Sequence, residues 1–124
     1  MRSPPTRSRS QCRPARLSAA AAAAALQVDP TFLDAPTRQR APIARARQLA
    51  VYLHHVAMGA SLSDCARQFG RDRATVRHAC ARIEDRRDDP AFDAAAARLA
   101  AALVAQCEML GALSSAANPA EATP

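Results

Sequence analysis

The sequence predicts an all-α fold, a small helical bundle built around a helix-turn-helix. Three observations carry this expectation. Two short amphipathic stretches flank Gly70 between Ser61 and Glu84. A longer stretch before them, residues 42–58, keeps a 3.6-residue apolar period. Asp29-Pro30 and Asp89-Pro90 pair a capping residue with a proline suited to the first helical turn, and so mark helix starts on either side.

Composition bounds the size of the core. Half of the 124 residues count as apolar, but alanine supplies much of that and only four are aromatic. The expectation is one compact helical domain of roughly 70 to 90 residues with tails. All 17 basic residues are arginine. The charge is uneven: +7 over residues 1–47, +3 over 48–83 and −4 over 84–124. A basic front and an acidic rear suit one face for a polyanion and one for water, and nucleic acid fits that polyanion best.

In chain order, residues 1–16 are Arg, Ser and Pro without apolar period and read as a disordered basic arm. With the alanine run behind it, the arm superficially resembles a targeting peptide. Its apolar part is almost only alanine and no cleavage box precedes Asp29, so a cytoplasmic, nucleoid-associated protein is expected. No stretch reads as a membrane span, and no amphipathic helix combines basic with large apolar residues. Residues 17–27 have high helix propensity. A short turn then offers Phe32 and Leu33 to the core, and residues 36–42 form a basic loop carrying Arg38 and Arg40.

The long helix, residues 42–58, has Ile43, Ala46, Leu49, Ala50, Leu53, Val56 and Ala57 as its core face. Arg45, Arg47, Gln48, Tyr52, His54 and His55 fill its other positions, and Gly59 ends it. The helix-turn-helix follows at 61–86. Ser61 caps its first helix, with Asp64 completing a capping-box pattern. Leu62, Cys65, Ala66 and Phe69 share one face, and Gly70 supplies the left-handed residue at the stop. Asp72 caps the second helix, whose buried face is Val76, Ala79, Cys80 and Ile83. Its opposite face carries Arg73, Arg77, His78 and Arg82, placed to enter a DNA major groove. An ordinary helical hairpin with a solvated basic face is the alternative. A last helix runs from Pro90 to about Leu110 with Phe92, Ala95, Ala96, Leu99, Leu103 and Leu110 on one side, packed on the helix-turn-helix. Residues 17–110 thus form the domain, and 111–124 a disordered tail.

The cysteines lack metal-site spacing. Cys65 and Cys80 occupy core positions, and His78-x-Cys80 is half a site without a second pair. No cofactor or metal is expected. No nucleophile–base pair or carboxylate constellation indicates an enzyme.

These residues together resemble the C-terminal DNA-binding domain of the bacterial replication initiator, the DnaA family. ARARQLAVYL at 44–53 is similar to that family's basic helix start, and SLSDCARQFG at 61–70 to the first helix of its pair. RDRATVRHA at 71–79 is similar to its Arg-Asp-His-Thr-Thr-Val-x-His-Ala signature. The resemblance implies a helix-turn-helix of DnaA C-terminal or Trp-repressor type that binds a short duplex box as a monomer. It implies backbone contacts from Arg47 and Gln48, with Arg45 beside them. It implies groove contacts from Arg71, Asp72, Arg73, Ala74 and Thr75, with Arg77 and His78 nearby, and a minor-groove arginine that is either Arg38 or Arg40. The family's second turn glycine is missing, its signature histidine is Arg73 and its first threonine is Ala74. The initiator's phosphate-binding loop is absent, and no lysine could complete one. The expected role is control of replication initiation or transcription by occupying sites. The rival is a protein-interaction module that kept the fold and lost specific DNA recognition.

Overall fold

A computed structural model of the chain describes residues 6–29, 33 and 41–117, with side chains from Ala15 onward. Among the described residues the elements are helical, with no strand. Helix α1 spans Thr6–Leu26, α2 Ala41–Tyr52, α3 Leu62–Phe69, α4 Arg73–Arg86 and α5 Pro90–Ala117. A π-helical turn, Leu53–Ala57, continues α2.

The central pair forms as its residues dictate. The Ser61 hydroxyl accepts from the Asp64 amide at 3.0 Å, and the Asp72 carboxylate accepts from the Thr75 amide at 2.8 Å. Each satisfies an amide that the first turn of a helix leaves unpaired. Gly70 ends α3 at φ 64°, and the Arg71 amide donates back to the Ala66 carbonyl at 2.9 Å. One left-handed glycine is thus enough to close this turn. The Asp64 side chain does not complete the capping box; it turns to Arg67 instead.

The core has two connected parts. Val51, Ala60, Cys65, Val76 and Ala79 fill the space inside the helix-turn-helix. Leu49, Leu53, Ile83 and Leu103 anchor the larger part, with Ala22 and Ala23 of α1 and the buried Leu33. Phe69 is half-buried and packs against both. Burial pushes the Cys65 thiol up to about 12 and raises Cys80; both are free thiols, held uncharged by their surroundings.

The π turn changes the face that the long helix buries. The Met58 amide donates to the Leu53 carbonyl at 3.1 Å, an i→i+5 bond that inserts one extra residue into the turn. The apolar register slips past that point. Val56, expected in the core, is 50% exposed, while Tyr52 and His54, expected outside, are buried. His54 stacks edge-on against Phe69 at 5.7 Å, and neither ring nitrogen has a hydrogen-bond partner. Burial lowers its pKa, the nearby Asp64 pulls it back up, and His55 adds to the lowering. Gly59, at φ 77°, ends the turn as expected.

Tyr52 gains a polar anchor in return. Its hydroxyl donates to Glu84 at 3.1 Å and accepts from Arg87 at 2.7 Å. Arg87 also donates to Asp93 at 2.6 Å. This chain ties the end of α2 to the end of α4 and the start of α5. Arg86 lies 4.2 Å from the Phe92 ring centroid and reinforces the same junction.

The two long helices differ from the sequence reading. α1 begins at Thr6, inside the stretch expected to be disordered, so residues 6–16 are helical. Once a helix is nucleated, each added residue gains a hydrogen bond, and arginine is a good helix former. It ends at Gln27, which adopts φ 58°. α5 continues to Ala117, past the Leu110 expected, through Gly111. It packs on α1 and the π turn rather than on the pair α3 and α4. Ala95 faces solvent and Leu110 is 40% exposed, contrary to the expected stripe. By length and composition α5 is also apolar enough to cross a membrane, with a mean hydropathy of 1.4 over its best window. The sequence reading had found no such stretch, because alanine, weakly hydrophobic residue by residue, accumulates over so long a helix.

Candidate nucleic-acid interface

The predicted contact residues lie on α2, the turn and α4, on the side of α4 away from Ile83. The local reason is periodicity. Val76, Ala79 and Ile83 are buried, so Arg73, Ala74, Thr75, Arg77 and His78 are left exposed. The Asp72 cap fixes where α4 begins and hence the rotation at which these side chains emerge.

Five of the predicted residues surround one shallow hollow of about 140 Å³. Arg47 and Gln48 come from α2, Arg71 from the turn, and Thr75 and His78 from α4; Val51, Val76 and Ala79 form its floor. Residues more than twenty positions apart in sequence thus meet at one place, where the packing of α2 across α4 brings them. Arg73, Ala74 and Arg77 lie on α4 outside the hollow. Arg45 and Gln48 face a second hollow with Arg82, Asp85 and Arg86. Arg38 and Arg40 lie outside the described residues.

Two of these residues have structural duties as well. The Arg47 Nε donates to the Leu33 carbonyl at 3.1 Å, so its guanidinium holds the segment before α2. The Asp72 carboxylate is committed to the first turn of α4. Its hydrogen bonds from the Thr75 amide and side chain hold its pKa below the usual value. Asp72 therefore acts as a cap that orients α4, and an anion so placed is a poor phosphate neighbour.

The site also contains residues that the sequence reading left out. Arg82 stands on α4 one turn beyond His78 and lines the hollow shared with Arg45 and Gln48. Its i+4 spacing from His78 was the available signal. Ala44 lines both hollows; its small side chain leaves them open, a property that no charge pattern reveals.

The arrangement is a basic surface at the start of a capped helix, with hydrogen-bonding side chains beside the arginines. It suits phosphates at its edges and base edges along α4. Among the described residues, no cluster of three His, Cys, Asp or Glu side chains is placed to hold a metal ion.

Comparison with known proteins matches residues 19–83 to a family model described as the bacterial DnaA protein helix-turn-helix. The match covers α2, α3 and nearly all of α4, and leaves α5 outside it. No curated protein matches the chain, and no solved structure matches it.

Proposed function

Because the chain belongs to the bacterial DnaA helix-turn-helix family, which implies DNA binding, we propose that it binds duplex DNA sequence-specifically through α4. The role is control of chromosomal replication initiation or of transcription, exerted in the cytoplasm by occupying sites. The supporting observation is the convergence of Arg47, Gln48, Arg71, Thr75 and His78 around one hollow beside the exposed start of α4. Arg47 and Gln48 hold the backbone, with Arg45 and Arg82 on the adjoining surface. Arg73, Ala74, Thr75, Arg77 and His78 face the groove. Nothing in the arrangement calls for catalysis.

Arg73 and Ala74 set the specificity. An arginine at the first turn of α4 donates two parallel hydrogen bonds to guanine O6 and N7. Ala74 offers a methyl to a thymine methyl. The selected box therefore contains a guanine opposite Arg73, and Arg73→His with Ala74→Thr moves the preference away from it, with about 1–3 kcal/mol at stake per base pair.

Selection of bound sequences from a random duplex pool tests this reading. A recurring box containing that guanine is the expected result. Recovery of random sequences, with affinity that only salt modulates, would favour the interaction-module reading. Arg47→Ala supplies a second measurement. It should weaken all duplexes alike and make the salt slope shallower by about one unit.

A further inference from the structure

The surface that α5 leaves bare lies outside the family match and has its own pattern. Phe92, Ala96, Leu99 and Leu103 follow one another at alternating intervals of four and three residues, a heptad seam. The chain uses this half internally: Ala96 and Leu103 are buried, and Phe92 and Leu99 pack on the core. The same spacing continues through Gln106, Leu110 and Leu113. Here nothing among the described residues covers it. Leu113 is 65% exposed and the flanking Met109 is 70% exposed.

We propose that this distal half of α5, residues 104–117, pairs in parallel with the same segment of a second copy of the chain. The pairing departs from the monomer that the family resemblance implies, and it stands independently of the DNA reading. Charge placement supports it. Beyond Arg98 the helix carries one charged side chain, Glu108. With Leu103 and Leu110 at position a, Glu108 falls at f, farthest from a partner, and Cys107 and Met109 flank the seam. A two-fold pair therefore brings no like charges together, as a self-complementary patch requires. Gln106 is the polar residue in the seam. Its amide both donates and accepts, so an identical copy in register satisfies it. A lipid surface fits less well, because an interfacial helix sets basic residues on its polar face and this half has none. Helix energetics point the same way. A helical end of so few turns, held by its own hydrogen bonds, is marginal in water, and Gly111 within it weakens it further.

The test is sedimentation of the full chain from about 1 to about 100 micromolar. The wild type is expected to move from the mass of one chain to that of two. Leu110→Glu combined with Leu113→Glu should remain a single chain throughout. Ala112→Glu adds charge at position c on the outer face and should associate like the wild type. These substitutions are at exposed positions and glutamate favours helix, so circular dichroism should show each variant folded. A wild type that stays monomeric overturns the proposal. So does a double variant that still pairs, or loss of pairing in Ala112→Glu. Vesicles of phosphatidylcholine, with and without phosphatidylglycerol, form the remaining arm. Binding by a monomeric chain that the double variant loses would assign the seam to lipid and overturn the pairing.

Discussion

The helix-turn-helix and the two long alanine-rich helices are built on opposite plans. α3 and α4 are short, and their limits are set by Ser61, Gly70 and Asp72, residues whose conformations and hydrogen bonds act over three or four positions. α1 and α5 run for 21 and 28 residues on intrinsic propensity and extend as far as alanine and its neighbours allow. In the first region the ends are specified and the burial is complete; in the second the ends are permissive and much of the surface is bare. The comparison teaches that local punctuation, rather than helix propensity, positions the surface that meets DNA.

The largest expected effect separates the two plans by burial. Ile83 is fully buried where α4 meets the main core, so Ile83→Ala should cost about 3 kcal/mol. Leu113→Ala, on the exposed end of α5, should change stability by less than about 0.5 kcal/mol. Urea denaturation of both variants measures the difference, and equal losses would break the comparison.

Glycine gives a contrast in sign. Gly70 sits at φ 64° with no atom near an added Cβ, so Gly70→Ala is opposed by the backbone alone and should cost about 1–2 kcal/mol. Gly111 lies inside α5 with open space around it, and Gly111→Ala should stabilise by about 0.5–1 kcal/mol. Thermal melting reads both, and a shift in the same direction for the two would show that the ends of α3 and the interior of α5 obey one rule.

Tyr52→Phe probes the junction between the plans. It removes the hydroxyl shared by Glu84 and Arg87 while keeping the ring, and should cost about 1 kcal/mol because the two charged groups remain partly in contact with water. A double-mutant cycle with Arg87→Ala should give a coupling of about 0.5 kcal/mol or more; additive losses would remove the anchor from the account of how α5 is held.

The smallest expected effect is at the end of α1. Gln27 adopts φ 58° without being glycine, and Gln27→Gly should stabilise by about 0.5 kcal/mol. No gain on melting would mean that the end of α1 is already relaxed, and would sharpen its contrast with Gly70.

The sequence by itself determined the features that short-range chemistry controls. These are the two caps, the left-handed glycine, the face of α4 formed by Val76, Ala79 and Ile83, and the basic face opposite it. Each depends on residues within about one helical turn, where steric limits and hydrogen-bond geometry leave few alternatives. That was enough to place Arg73 to His78 on one exposed surface before any coordinates were consulted. Only the tertiary structure decided the rest. The π turn moved Tyr52 and His54 inward and Val56 outward, since one residue inserted into a helix rotates everything after it. The crossing of α2 over α4 brought Arg47 and Gln48 to Thr75 and His78 and added Arg82. Leu33 claimed part of the Arg47 guanidinium from a distant segment. α5 settled against α1 because its alanine-rich surface fits several neighbours almost equally well, and packing among all the helices, rather than any local signal, selects one.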